Sequence, residues 1–388
     1  MRILTTHGGS LPRPRRLLEI YARRGADDDL DTTLRQSVAE VVSRQQRVGV
    51  DVVSDGEFGK PTETTESGYG HGTWLRYVRS RLAGCDWAPV SSAAPEGRDR
   101  CRFPEFYGLA GRNGHPRTDA PEPVQTWACT GPIQYAGRAA VERDIANLRD
   151  ALSGQPRASA FMPVASPASI ALLIPNLYYS SQEEYILALG QAMQEEYRAI
   201  TDAGLVAQID DPVVVGTWDT WDGDLAGYRR YVYEQVEMLN QSLARIEPDR
   251  LRYHVCWGSW QGPHSTDLPL SEVVDIILLV NARGISVESG NARHEHEWRV
   301  WQDTPLPDGK TLIPGVVSHK TAVLEHPELV ADRLVRYARC VGQENVIAGT
   351  DCGLGGRLSS DLAWAKLEAL VEGARLATNA LSSRMKQE

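Results

Sequence analysis

Along the chain, short runs of β-branched and apolar residues alternate with longer runs whose apolar positions recur every three or four residues. A short apolar run closed by a turn signal reads as a strand, and a sustained 3.6-residue period reads as an amphipathic helix. Strands are therefore expected at 3–10, 51–57, 126–132, 158–165, 206–211, 252–258, 285–289, 312–318 and 345–352. Helices are expected at 31–48, 137–152, 182–203, 225–246, 270–282, 327–341 and 359–379. The run at 327–341 illustrates the reasoning. Pro327 stands where a first-turn proline is tolerated, and Leu329, Val330, Leu334, Val335 and Ala338 follow at helical spacing. Alternating strands and helices imply a mostly parallel sheet covered on both faces. Eight or nine such units suit an α/β fold of the closed (β/α)8 TIM-barrel kind with extra elements, and a doubly wound open sheet is the alternative.

One stretch breaks the rhythm. Residues 86–123 are rich in Pro, Gly, Ser and charge, as expected of an inserted, lid-like segment. There is no internal repeat and no clear linker, so 1–388 is read as one barrel domain with an insertion at about 86–123.

Charge narrows the partners. Lys+Arg number 41 against 51 Asp+Glu, a formal net charge of -10, which is opposite to the basic excess of nucleic-acid-binding proteins. No apolar run approaches the roughly 18 residues of a membrane helix, and the first 14 residues lack the apolar core of a secretory signal. The expectation is a cytoplasmic protein with neither nucleic acid nor membrane as partner. The six cysteines (85, 101, 129, 256, 340 and 352) are too few for a disulfide scaffold and are expected as free thiols or metal ligands in a reducing compartment.

The chemistry-bearing residues fall at the expected C-terminal ends of strands, which share one face of a barrel. His254 and Cys256 are two apart on a strand, so they point to the same side and can converge on a metal; a buried pair without metal is the competing reading. Glu288 closes another strand as a hard, exchangeable ligand, or as an acid that caps or pairs with Arg293. Asp351-Cys352-Gly353 leads into a glycine-rich loop that lacks the Lys-Ser/Thr of a phosphate loop, and it can present Cys352 at the strand tip. Together His254, Cys256, Glu288 and Cys352 make a better zinc site than any pair alone. Asp55, Glu57, Asp210 and Asp211 end two further strands and can hold an ammonium or move protons, or only cap turns. The turn after the first strand, Thr5 to Arg13, offers backbone N–H groups to a carboxylate, with His7 read as a structural hydrogen-bonder. His294 and His296 are read as part of a solvated turn, His264 as an orienting or plain loop residue, and the Trp-rich 217–224 as pocket wall or packing.

Taken in order, these segments resemble the cobalamin-independent methionine synthase family in its catalytic C-terminal barrel. TTHGGSLPRP is similar to that family's TT-x-x-GS-x-PR opening, and DVVSDGEFGK, QIDDP, HVCWG, ISVES, IPGVVS and GTDCGLGG follow in the family's order from residue 5 to about 376. The chain has no room for the second barrel of the full-length type. It therefore resembles the single-barrel group, which includes the epoxyalkane:coenzyme M transferases. The resemblance implies zinc as cofactor, held by His254, Cys256, Glu288 and Cys352. It implies Gly9 and Ser10 at a substrate carboxylate, and Glu57 and Asp210 at the amino group of homocysteine. Two departures stand out. The interval from Cys256 to Glu288 is longer, with PHSTDLPLSEVV inside it. Where the family has a GVYD turn and then a proton-donating His, this chain reads Gly315-Val316-Val317-Ser318-His319-Lys320, so His319 or Lys320 is the expected general acid. The segment Trp74–Tyr77 and the insertion also differ from a folate enzyme.

The function expected is zinc-dependent transfer of a methyl group to a small thiol such as homocysteine, because zinc favours the nucleophilic thiolate at neutral pH. The alternative is epoxide opening by coenzyme M; Glu57 and Asp210 suit an ammonium better than a sulfonate. A zinc hydrolase fits less well, since four protein ligands leave no place for water and two thiolates weaken the Lewis acid. A non-catalytic zinc barrel would leave Glu57 and Asp210 without a purpose.

Overall fold

The structure is a computed structural model describing residues 2–23, 29–62, 71–90, 96–109, 124–153 and 159–384. In chain order its strands are β1 (Leu4–Thr5), β2 (Val52–Ser54), β3 (Leu82–Val90), β4 (Val124–Tyr135), β5 (Ser159–Ala165), β6 (Val206–Asp210), β7 (Leu251–Val255), β8 (Gly284–Val287), β9 (Thr311–Val317) and β10 (Ile347–Thr350). Eight of them form one parallel sheet in the order β2-β5-β6-β7-β8-β9-β10-β1. The sheet curls until its edges meet. Asp51 N–H donates to Thr5 O at 3.1 Å, and Asp51 Oδ2 accepts from Thr5 N–H at 2.9 Å. Thr6 Oγ1 donates to Val52 O at 3.0 Å. With helices between the strands, this is the (β/α)8 barrel expected from the alternation.

The ninth expected strand, 126–132, exists but lies outside the barrel. It is part of β4, which pairs antiparallel with β3 in a two-stranded hairpin. Alternating apolar residues cannot distinguish a barrel strand from a hairpin strand. Proline does not separate them either, because the barrel strands β5 and β9 carry Pro163 and Pro314 just as the hairpin carries Pro89 and Pro132. The segment 86–123 is also more regular than its composition suggests. It contains the end of β3 and helices Arg98–Arg102 and Pro104–Leu109, while 91–95 and 110–123 lie outside the described residues.

The outer helices start where their caps dictate. Ser181 Oγ accepts from Glu184 N–H ahead of Gln182–Asp202, Asp224 accepts from Gly227 N–H ahead of Leu225–Leu243, and Pro327 opens Pro327–Val341. The expected helix at 270–282 is reduced to a 3-10 turn, Leu270–Glu272, and a short helix, Val274–Ile277. Its run of consecutive β-branched and apolar residues has low helix propensity and no polar face.

Inside the barrel a polar layer lies beneath the face formed by the C-terminal ends of the strands. Arg252 is buried with its guanidinium 3.3 Å from the Phe161 ring centre, and it donates to Gln208 Oε1 (2.5 Å), Thr6 Oγ1 (2.9 Å) and His7 O (2.7 Å). Gln208 donates to Gly8 O at 2.9 Å. Two residues further along these strands, on the same side, stand His254 and Asp210. The layer thus supports the 7–10 loop and the site residues together.

Candidate active site

Each expected metal residue leaves a strand at its C-terminal end. His254 lies in the last turn of the β7 ladder, Cys256 directly after β7, Glu288 directly after β8, and Cys352 two residues after β10. Three of them converge: the ligand atoms of His254, Cys256 and Cys352 all lie within 4.8 Å of one another. His254 Nδ1 is fixed by Ser286 Oγ at 2.9 Å, which leaves Nε2 buried with no conventional partner among the described residues. The hydrogen bond between the two sulfurs draws Cys352 well below the usual thiol range and pushes Cys256 well above it. Burial works against a charged His254 ring, but Cys352 and Asp210 outweigh it and raise its pKa. One imidazole nitrogen and two sulfurs, with the imidazole oriented by a second residue, are the donor set of a thiophilic metal such as zinc. The residues present fit such an ion.

Glu288 stands apart from this cluster. It is fully buried, and its carboxylate is engaged by Lys320 Nζ, by Asn291 Nδ2 (2.7 Å) and by Trp257 N–H (2.9 Å). Asn291 is steadied by Asp351 Oδ2 at 3.2 Å, and Asp351 Oδ1 also accepts from Ser289 N–H and Gly290 N–H.

The expected substrate residues gather at the same mouth. The loop 7–10 touches the loop after β10: Leu354 N–H donates to Ser10 O at 2.8 Å, and a Cβ on Gly353 would come within 2.0 Å of Ser10 Oγ. Gly9 has φ +129°, and a Cβ there would lie 2.4 Å from Glu57 Oε1, so only glycine lets this backbone pass the carboxylate. Ser10 Oγ is buried with no hydrogen-bond partner among the described residues. Glu57 holds a left-handed backbone (φ 62°), secured by Arg13 donating to its carbonyl at 2.6 Å, and Lys60 Nζ lies 3.3 Å from its Oε2. Burial raises the pKa of Glu57 against the pull of Lys60 and Arg13. Burial likewise raises Asp210 to about 7, with Glu57 and Cys352 adding to the rise and His254 opposing it. Gln208 Nε2 donates to Asp210 Oδ1 at 2.6 Å.

Asp210, His254, Cys256 and Cys352 form one wall of a cavity of about 280 Å³, whose other wall is largely apolar, with Trp74, Leu172, Val213 and Trp260; Arg357 also lines it. The insertion reaches this wall. Asp99 accepts from Ser265 N–H (2.8 Å), Ser265 Oγ (2.6 Å), His264 N–H (3.2 Å) and Tyr107 O–H (2.7 Å), and Tyr107 O–H accepts from Trp260 Nε1 at 3.3 Å.

The two general-acid candidates differ. His319 is buried beside Cys352, with neither ring nitrogen hydrogen-bonded among the described residues, and burial lowers its pKa well below the ordinary value. Lys320 is tied to Glu288, whose charge outweighs the effect of burial and raises its pKa. Ser286, Asn291, Asp351 and Asp99 shape the site without having been picked out for that role from sequence, because nothing local marks a residue that supports another. Of the remaining histidines, His7 is structural as read, bonded to Gln45 and Gly9. His294 is not in a solvated turn: it is buried between Asp267 and Glu297 and stacked on Trp257 at 4.1 Å, whereas His296 is exposed. Trp218 and Trp221 of the Trp-rich stretch pack on Tyr228.

No family model matches the chain. Among curated proteins it is 24% identical to the 2-hydroxypropyl-CoM lyase of Xanthobacter autotrophicus, over 96% of this chain and 94% of that protein. It is 23% identical to the methionine synthase of Thermococcus kodakarensis, over 96% and 93%. Among solved structures, the B12-independent methionine synthase of Shewanella sp. W3-18-1, in complex with selenomethionine, superposes with a TM-score of 0.70 at 20% identity, covering 99% of this chain and all of that one. Over nearly its whole length this chain is thus related both to proteins named methionine synthase and to one named 2-hydroxypropyl-CoM lyase, and it shares the barrel of the B12-independent methionine synthases.

Proposed function

We propose that this protein is a zinc-dependent thiol alkyltransferase that moves a methyl group to the thiol of an amino acid, homocysteine first. The observation that carries the reading is the meeting of a His-Cys-Cys donor set with the carboxylate of Asp210 at one cavity, with the buried Glu57 close enough to Asp210 and Cys352 to raise the pKa of the one and have its own raised by the other. The names of the relatives support it, since methionine and 2-hydroxypropyl-CoM are both small thiols alkylated on sulfur.

His254, Cys256 and Cys352 would hold the metal. Zinc bound there favours the thiolate form of an incoming thiol at neutral pH. Glu57 and Asp210 receive the ammonium; burial has made both reluctant to ionise, and an arriving cation reverses that. Ser10 Oγ and the backbone of Gly9 and Ser10 receive the carboxylate. Trp74, Leu172, Val213 and Trp260 keep water from the alkyl group. His319, buried beside Cys352 with neither ring nitrogen hydrogen-bonded among the described residues, is assigned the proton of the leaving group; a negative charge developing beside it would counter the lowering that burial imposes on its pKa, whereas Lys320 holds its own proton too firmly for that role. Six free cysteines fit a reducing cytoplasm, and among the described residues no helix is long and apolar enough to cross a membrane.

A second reading, alkyl transfer to coenzyme M, is favoured by Arg357 at the cavity, because a sulfonate prefers a cation. Thermal melting of the zinc-loaded protein with each thiol separates the two. Saturation at a hundred times Kd stabilises a protein by about 2.7 kcal/mol. Homocysteine should raise the melting temperature at lower concentration than coenzyme M; the reverse order would favour the second reading, and no shift with either would remove both.

A further inference from the structure

Glu288 is fully buried at the end of β8, beside a cluster that its residue type suits, yet its carboxylate is taken up by Lys320, Asn291 and the Trp257 N–H. Lys320 does not reach it by chance. The 318–325 loop is fastened at both ends: Ser318 N–H donates to Glu325 Oε1 at 2.9 Å, and Glu325 Oε2 accepts at 2.7 Å from Lys366, a fully buried lysine of the helix Ser360–Arg384. Lys320 N–H donates to Ser318 Oγ at 3.1 Å within that loop. The Lys320 side chain is only 10% exposed, so its charge, like that of Glu288, must be met inside the protein.

We propose that Lys320 is a positioning residue that holds Glu288 away from the metal, leaving three protein ligands and one coordination place for the substrate thiol. The inference rests on the zinc reading given above. Charge balance supports it. Zinc with two thiolates and a neutral imidazole is formally neutral, and the Lys320–Glu288 pair is neutral beside it. An arriving thiolate then adds a single negative charge to a buried site. If Glu288 were itself a ligand, a fourth donor would already fill the tetrahedron.

Two variants of the full chain test this. Glu288→Gln in otherwise unchanged protein should keep zinc affinity, measured by chelator competition, within about twofold, whereas residues that hold a metal or its ligands typically cost 10–100-fold when replaced. Lys320→Met frees Glu288. Its zinc-edge absorption should gain an oxygen ligand, and its affinity for homocysteine should fall about tenfold. Lys320→Arg should behave as the unchanged protein, and the double variant Lys320→Met with Glu288→Gln should regain thiol affinity. A tenfold loss of zinc affinity in folded Glu288→Gln overturns the inference, as does folded Lys320→Met with an unchanged zinc spectrum. If homocysteine leaves the zinc spectrum of the unchanged protein untouched, it is the thiol-transfer reading that fails; the zinc affinity of Glu288→Gln and the thiol-free spectrum of Lys320→Met still decide the place of Glu288.

Discussion

Among the described residues, His254 Nε2, Ser10 Oγ and both nitrogens of His319 are buried without hydrogen-bond partners, and all lie around Cys352 and Gly353. Buried polar atoms are nearly always paired, so several orphans in one place mark where a ligand completes the structure. Ser286 tests this at the level of one hydrogen bond. Ser286→Ala removes the group that aims His254, and zinc affinity by chelator competition should fall about tenfold. Cys352→Ser should leave substoichiometric zinc after dialysis. His294 makes a separate prediction about pH. Burial pulls its pKa down, but Asp267 at 3.0 Å and Glu297 at 2.9 Å outweigh that and hold it at about 9, against 6.5 for a free ring. A pKa raised on folding stabilises fully below the unfolded value and loses its effect as pH rises through the folded one. A shift of that size corresponds to about 3 kcal/mol. The melting-temperature gap between the unchanged protein and His294→Gln should therefore be widest near pH 6 and close as pH passes 9.

At the scale of elements, the insertion is bound to the barrel through two carboxylates, Asp99, which is buried, and Asp219, which is half-buried. Asp99 takes four hydrogen bonds, and Asp219 accepts from Asp99 N–H at 2.9 Å and from Thr266 Oγ1 at 2.6 Å. A Cβ on Gly97 would come within 2.0 Å of Asp219 Oδ2, so the segment fits tightly where it docks. Asp99→Ala leaves the Ser265 and His264 N–H groups without their acceptor, at about 1–3 kcal/mol for a buried group. Hydrogen exchange should quicken across 96–109 and 257–268, and KM for the alkyl donor should rise more than kcat falls, because Trp260 loses its support while the zinc residues keep theirs. Pro and Gly mark 86–123 in the sequence as a break in the alternation of strands and helices. They did not reveal the hairpin or the two helices, since short elements of this kind are fixed by what they dock on. The helix expected at 270–282 is cut short for the opposite reason: its local apolarity serves burial, which a 3-10 turn and one short helix satisfy as well as a long helix would.

For the whole molecule, the barrel and the gathering of the site were legible because both follow from one regularity. Strands alternate with helices, chemistry-bearing residues fall at strand C-termini, and a parallel barrel brings all those ends to one face. What stayed hidden was tertiary: which acid Lys320 meets, which serine aims His254, and that 126–132 pairs with 82–90 rather than with a barrel neighbour. Barrel closure rests on Asp51, which bonds Arg2 as well as Thr5 across the β1–β2 seam. Asp51→Ala should lower the urea midpoint, with a loss of about 1–3 kcal/mol for the unpaired Thr5 amide. The central claim is that this face presents a metal to a substrate sulfur. Zinc-edge X-ray absorption of the loaded protein, recorded with and without homocysteine, tests it most directly. The account predicts two sulfur ligands rising to three when homocysteine is added; a sulfur count that stays the same at saturating homocysteine would contradict it.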